Sequence, residues 1–200
     1  MCPFVPGAVR RGQIFYAAGP ADMDARAYSE SLKRCVDIFA TQKSGFSALV
    51  MLLPPNLDVE VLLDAHRLTK EYCVRRQLMV GALWPTSQAA SLHNSEYFPL
   101  RTPTPTLVVR DMVIGDLRFL DPKHYSVVRR LIFLHVFLEK FRDQAGHGGV
   151  EAEEYQRARR LYIEYLGWIA RRVIAVAAAG LGAILLLRRR RGNDISPDSA

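Results

Sequence analysis

Apolar and polar positions recur along this chain in two rhythms, and the switches between them outline the elements. "RGQIFYAAGP" is a short β-rich run closed by Gly19-Pro20, which predicts a strand over about 12–18. In "DARAYSESLKRCVDIFATQ", Tyr28, Leu32, Cys35, Val36 and Phe39 fall at helical spacing, so a helix is expected from about 23 to 43, ended near Gly45. "FSALVMLLPP" is continuously apolar, of strand length, and halted by Pro54-Pro55. A run apolar on both faces suits a central strand. "NLDVEVLLDAHRLTKEYCVRR" returns to the helical period, with Asp58 as N-cap and Val61, Leu62, Ala65, Leu68 and Tyr72 as its apolar stripe. "QLMVGALWP" reads as the next strand, again stopped by proline.

Residues 86–104 carry Ser, Thr, Asn and Pro throughout and predict a loop longer than an ordinary connection, the kind that often serves function. "PTLVVRDM" is a fourth strand, entered through Pro103 and Pro105. "DPKHYSVVRRLIFLHVFLEKF" opens with Asp121 placed as an N-cap and Pro122 at the first helical position, predicting an apolar helix over about 121–142. "QAGHGG" breaks it. From Val150 to about Arg191 helical character continues, with Gly180 and Gly182 inside the apolar run, and membrane helices tolerate glycine.

The order β-α-β-α-β-loop-β-α followed by a long helix indicates an α/β fold. Its sheet should be mixed or mainly parallel and flanked by helices, with the C-terminal helix entering the membrane. The expected divisions are a globular α/β domain at 1–145, a helical stem at 150–172, a single transmembrane helix at 173–187, and a basic then disordered tail at 188–200. In the stem, Tyr155, Tyr162, Leu166 and Ile169 can form a stripe about one face with Ala158 between them. The short hinge before it permits an antiparallel hairpin against the 121–142 helix, so the stem is expected to pack there.

The transmembrane expectation rests on "RRVIAVAAAGLGAILLLRRRR", residues 171–191. Fifteen residues at 1.5 Å each span roughly 22 Å, short of the roughly 30 Å hydrocarbon core. Snorkelling arginines at both ends and local bilayer thinning make up the deficit. Tyr162, Tyr165 and Trp168 stand just upstream, as an interfacial aromatic group would. A surface-lying helix needs a polar face, and residues 173–187 have none. A helix buried in a soluble core would have to bring six flanking arginines to water from one element. The arginines on the two sides nearly cancel as topological signals. The opening "MCPFVPGAVRRGQIF" lacks a signal-peptide run, so the expectation is a tail anchor with the domain in the cytoplasm.

The formal net charge of +7 and pI of about 9.6 would ordinarily raise nucleic acid as a partner. Much of the excess flanks the apolar run, at Arg171, Arg172 and Arg188 to Arg191, where lipid headgroups are the natural contact. No basic motif interleaved with aromatics is present, and nucleic acid is not expected. Three widely spaced cysteines, Cys2, Cys35 and Cys73, make neither a disulfide framework nor a CxxC site, and fit a reducing compartment. No Gly-x-Gly-x-x-Gly, phosphate-binding Gly-Lys-Ser/Thr loop, Gly-x-Ser-x-Gly elbow or His-Glu-x-x-His occurs, which removes the common nucleotide, hydrolase and zinc-protease signatures.

"CPFVPGAV", "LMVGALWP", "LHNSEYFPLRTPTPTLVVRDM" and "DLRFL" together resemble an uncharacterised, mainly actinobacterial domain family. Its members share a CPF-x-P opening, a G-x-x-x-P strand end and a PLR-x-P-x-P-x-L-x-x-R segment. The resemblance covers about residues 2–142 and brings no activity with it. More distantly, "MVGALWPTS" followed by "PTPTLVV" is similar to the haem-dependent N-hydroxylases of guanitoxin biosynthesis. Those place a histidine before the proline, where this chain has Trp84, and one extra residue intervenes here. That resemblance implies haem and an oxygenase activity.

Four residues are candidate ligand contacts. Cys2 offers a thiolate that would ligate haem iron or act as a nucleophile, or else it packs with "CPFVP" as an apolar plug. His66 lies mid-helix on a face with Leu62 and Cys73, as a ligand, a base, or a flank histidine satisfied by water. His93 and Arg101 sit in the long loop, where α/β folds place ligand contacts. Arg101 has the planar fork for a carboxylate or phosphate, the alternative being a pairing with Glu96 or Asp116 that pins the loop. No metal site is indicated. Two functions follow: a membrane-anchored module binding a small ligand or a protein partner, with no cofactor expected, or a haem-dependent oxygenase.

Overall fold

A computed structural model describes residues 4–43, 45–91, 94–146 and 148–193, with the side chains of 7–43, 45–91, 94–143, 146 and 148–177. Helix α1 (Phe4–Arg10) leads into strand β1 (Ile14–Ala18), helix α2 (Ala25–Gln42), strand β2 (Ala48–Leu52) and helix α3 (Val59–Val74). Strand β3 (Leu78–Leu83), a long loop and strand β4 (Thr106–Asp111) follow. A 3-10 helix (Ile114–Phe119), helix α4 (Val127–Lys140), a second 3-10 turn (Arg142–Gly146) and helix α5 (Gly149–Asn193) complete the described chain. The expected alternation holds, with α1 and the 3-10 segments as additions.

The sheet is mixed. Its order is β1-β2-β4-β3, with β1 parallel to β2 and β4 antiparallel to both its neighbours. The apolar "ALVML" run therefore does occupy an interior position, between β1 and β4. Side-chain alternation splits the sheet into two faces. Leu49, Met51, Leu78, Val80, Leu107 and Val109 point to one face and pack with Tyr28, Leu32, Val36 and Phe39 of α2 and with Leu62 and Ala65 of α3. Gly19 closes β1 tightly against this core: a Cβ there would lie 2.5 Å from Leu53 and 3.0 Å from the Tyr28 ring.

A second core forms where α4, α5 and the first 3-10 helix meet the β3 side of the sheet. It joins Met79, Met112, Leu117, Leu120, Phe133, Leu134 and Phe137 to Ala158 of α5, which is fully buried. Tyr155, Leu161, Tyr162 and Tyr165 pack on the same cluster. The stem thus docks on α4 through Tyr155 and Tyr162 of the expected stripe, while Leu166, 45% exposed, and Ile169 stand outside the cluster.

Two local expectations are corrected. Asp121 does not cap α4, which begins six residues later with Ser126 accepting from the Arg129 N–H. Asp121 instead accepts from the Tyr165 hydroxyl at 2.7 Å and from Arg130 at 3.2 Å, tying the α4 entry to α5. In α3, Asp58 is the N-cap as expected, but Leu68 is 48% exposed and the buried stripe turns toward Thr69, Lys70 and Cys73. That rotation is tolerated because the polar members find partners: Thr69 donates to the Ala65 carbonyl and pairs with Ser29.

Among the described residues no helix is long and apolar enough to cross a membrane. Most of the expected span lies at 178–187, whose side chains are outside the described set, and the tail from 194 onward is outside it altogether.

Candidate functional site

The loop expected at 86–104 does connect β3 to β4, and its backbone folds back on itself. The Trp84 N–H bonds the Leu100 carbonyl, and the Ser91 N–H bonds the Tyr97 carbonyl. This return brings Arg101 beside the start of the loop. Its Nε donates to the Ser87 carbonyl at 2.8 Å, and its guanidinium lies 3.7 Å over the Phe98 ring. Neither expected partner, Glu96 or Asp116, holds it. Ser87 is fully buried, so the brace is anchored in the protein while Arg101 itself is exposed. With Nε on a carbonyl and the ring of Phe98 beneath it, the exposed guanidinium is held in place and offers the planar fork that suits a carboxylate or phosphate.

His66 is half-buried on α3, with Nε2 3.1 Å from the Val80 carbonyl. A carbonyl only accepts, so the ring proton resides on Nε2 and the lone pair on Nδ1. Burial, aided by Lys70, pushes the imidazolium down to about 4, and the ring is neutral at physiological pH. Among the described residues no hydrogen bond or ring contact joins His66 to Arg101: the first bonds Val80, the second Ser87 and Phe98. Cys2 and His93 lie outside the described residues.

The sequence reading missed a buried ionic cluster beside His66. Asp116, 2% exposed, takes a bidentate pair of 2.7 Å bonds from Arg110 and a third bond from the Val113 N–H. Lys70, 3% exposed, faces this carboxylate and places Nζ 3.7 Å from the Met79 sulfur. Burial pushes the Lys70 ammonium down to about 8, against the pull of Asp116. The neighbouring Cys73 thiol is pushed up to about 12 by burial, which leaves it inert. One signal was available: Leu62, His66 and Cys73 share a face of α3, and Lys70 falls on that same face. The cluster ties the 3-10 helix to β4 through Arg110 and sets Asp116 facing Lys70 of α3.

Of the three haem-ligand candidates, Cys2, His66 and His93, only His66 is among the described residues; its Nε2 bonds the Val80 carbonyl, and its Nδ1 keeps the lone pair. Among the described residues no group of three or more His, Cys, Asp or Glu side chains could hold a metal ion. What the chain shares with known proteins is its domain: the family described as "Domain of unknown function (DUF6875)" matches residues 1–149. The chain belongs to the DUF6875 family. No curated protein and no solved structure matches it. The DUF6875 match ends at the first residue of α5, so the helix whose Ala158 completes the second core lies beyond the matched segment.

Proposed function

We propose that this chain is a single-pass cell-membrane protein whose α/β domain stands on the cytoplasmic side and binds a small anionic ligand, or an acidic group of a protein partner, at the Arg101 loop. One observation carries the anchoring. Every residue of α5 from 171 to 177 is exposed, and the apolar side chains among them are bare on several sides of the helix: Val173 at 62%, Ile174 at 67% and Val176 at 73%. An apolar turn with no protein surface to meet has lipid as its natural environment. Arg172 stacks 4.2 Å over the Trp168 ring just before it, which suits the headgroup layer. The binding reading is supported by the braced Arg101 fork.

Alkaline carbonate extraction of membranes from cells making the full chain tests the anchor. Wild type is expected in the pellet. Gly180→Arg, which places a charge mid-span at an insertion cost of about 2.5–3.5 kcal/mol, is expected to move it to the supernatant. Carbonate-soluble wild type would sink the anchor, and a tag after Ala200 found on the same side as the domain would sink the orientation. For the loop, calorimetry on the full chain in nanodiscs with inorganic phosphate and citrate should show binding abolished by Arg101→Gln and weakened by Arg101→Lys. The alternative, a haem-dependent oxygenase, would displace this reading if the chain made with a haem precursor showed a Soret band lost on changing Cys2, His66 or His93.

A further inference from the structure

The two edge strands of the sheet differ in how far their faces are covered. In β3, Leu78, Met79, Val80 and Ala82 are buried. In β1 no residue is buried, and Tyr16 is 70% exposed. The β1 strand, "IFYAA", carries no proline, glycine, charge or bulge, the devices by which proteins protect a bare edge from pairing. Beneath it an apolar groove runs between β1 and α2, lined by Phe15, Ala17, Cys35, Ile38 and Phe39, with Ile38 itself 60% exposed.

The backbone fixes what this edge can accept. The Gln13 carbonyl and the Gly19 N–H both bond to β2. By the alternation of a parallel ladder, Ile14, Tyr16 and Ala18 therefore turn their N–H and C=O groups outward. An added antiparallel strand satisfies all three when its paired positions are likewise outward-facing. A second β1 meets that condition when centred on Tyr16, with Ile14 opposite Ala18 and Tyr16 opposite itself, each pair exchanging both N–H···O bonds.

Charge selects the same arrangement. Exposed Arg10 precedes the strand and exposed Asp22 follows it. Arg10 ends α1 before the strand and Asp22 lies in the turn after it, so antiparallel pairing sets the basic end of one copy against the acidic end of the other, whereas parallel pairing would set like ends together. We propose that the β1 edge is a homodimer interface, in which two copies join β1 to β1 antiparallel about Tyr16, continuing the sheet and closing the β1–α2 groove. The symmetry is isologous, so each copy contributes the same donors, acceptors and charges. This inference is independent of the Arg101 site and of the anchor.

Site-specific crosslinking in the full chain, in detergent micelles and with Cys2 and Cys35 replaced by serine, tests it. Tyr16→Cys is expected to give a covalent dimer with a short bis-maleimide. Ile14→Cys alone and Ala18→Cys alone should not, because their equivalents lie four residues apart along the strand, while a mixture of the two variants should. Arg10→Asp is expected to lower the Tyr16→Cys crosslink several-fold, and adding Asp22→Arg to restore it. A variant that melts as wild type does but gives no dimer at position 16 and none from the mixture would overturn the proposal. So would efficient crosslinking of Ile14→Cys to itself, the mark of parallel pairing, or capture of a different protein in place of the second copy.

Discussion

Removing one hydroxyl tests how α5 is held. The Tyr165 hydroxyl donates to Asp121 at 2.7 Å and accepts from Arg130 Nη1 at 2.7 Å, while the Arg130 guanidinium lies 4.6 Å over the Tyr165 ring. Tyr165→Phe keeps the ring and its packing and deletes only the polar link. Hydrogen bonds to charged groups are each worth about 1.5–3 kcal/mol, but the Arg130–Asp121 pair survives the change, so a net loss of about 2 kcal/mol is expected. At about 2–4 °C per kcal/mol for a chain of this size, the melting temperature should fall by about 4–8 °C. Tyr162→Phe is the control, since the Tyr162 hydroxyl has no hydrogen-bond partner among the described residues while its ring stacks on His135 at 6.1 Å. The pH dependence gives a second reading. Burial, with the bond to Asp121, pushes the Tyr165 hydroxyl up to about 12 from an ordinary 10.0. The folded chain then holds this proton more tightly than the unfolded chain. Its contribution is complete below pH 10 and is lost as pH rises toward 12, so the gap between wild type and Tyr165→Phe should narrow in that window. Thermal melts of the full chain in detergent by circular dichroism measure both. Equal shifts for the Tyr165 and Tyr162 variants, or none for either, would refute the claim that this hydroxyl links the elements.

Asp116→Asn leaves Lys70, 3% exposed, without the carboxylate it faces, and an uncompensated buried charge costs roughly 3–5 kcal/mol, readable as a large drop in urea midpoint; a shift below the size of the Tyr165→Phe effect would mean the cluster is solvated. His66, pushed down to about 4 from 6.5 by burial, must take up its proton on unfolding, so its neutral form lends stability that is lost as pH falls from 6.5 toward 4. His66→Gln should therefore lose less stability than wild type across that interval, and parallel pH profiles for the two would contradict the assignment.

Local pattern made much of this architecture legible. The α2 and α5 limits, the Asp58 cap and the interior place of "ALVML" all follow from periodicity, capping chemistry and continuous apolarity, which act within a few residues. Partners distant in sequence were not visible. Asp121-Pro122 has the form of a helix start, yet Asp121 is taken by Tyr165 from another helix, and Ser126 caps α4 instead. The antiparallel insertion of β4 between β2 and β3 likewise depends on pairing across the loop, which no local signal encodes. At the candidate site, the loop and Arg101 were readable, while the Ser87 carbonyl and Phe98 ring that brace it appear only once the chain turns back. Lys70 was overlooked because a lysine at a helical position reads as solvated; it is Asp116, 46 positions downstream, that makes its burial tolerable.

The unbroken run of α5 turns residue count into an angle. Ala158 is bedded in the core and Val173 begins the exposed apolar turn, fifteen residues and about 22 Å farther along one axis. Inserting a single residue between them would advance Val173 by about 1.5 Å but swing the domain through about 100° around the helix. Spacing along this shaft barely registers such a change, whereas the compass bearing of every surface on the domain, the β1 edge included, is reset by it.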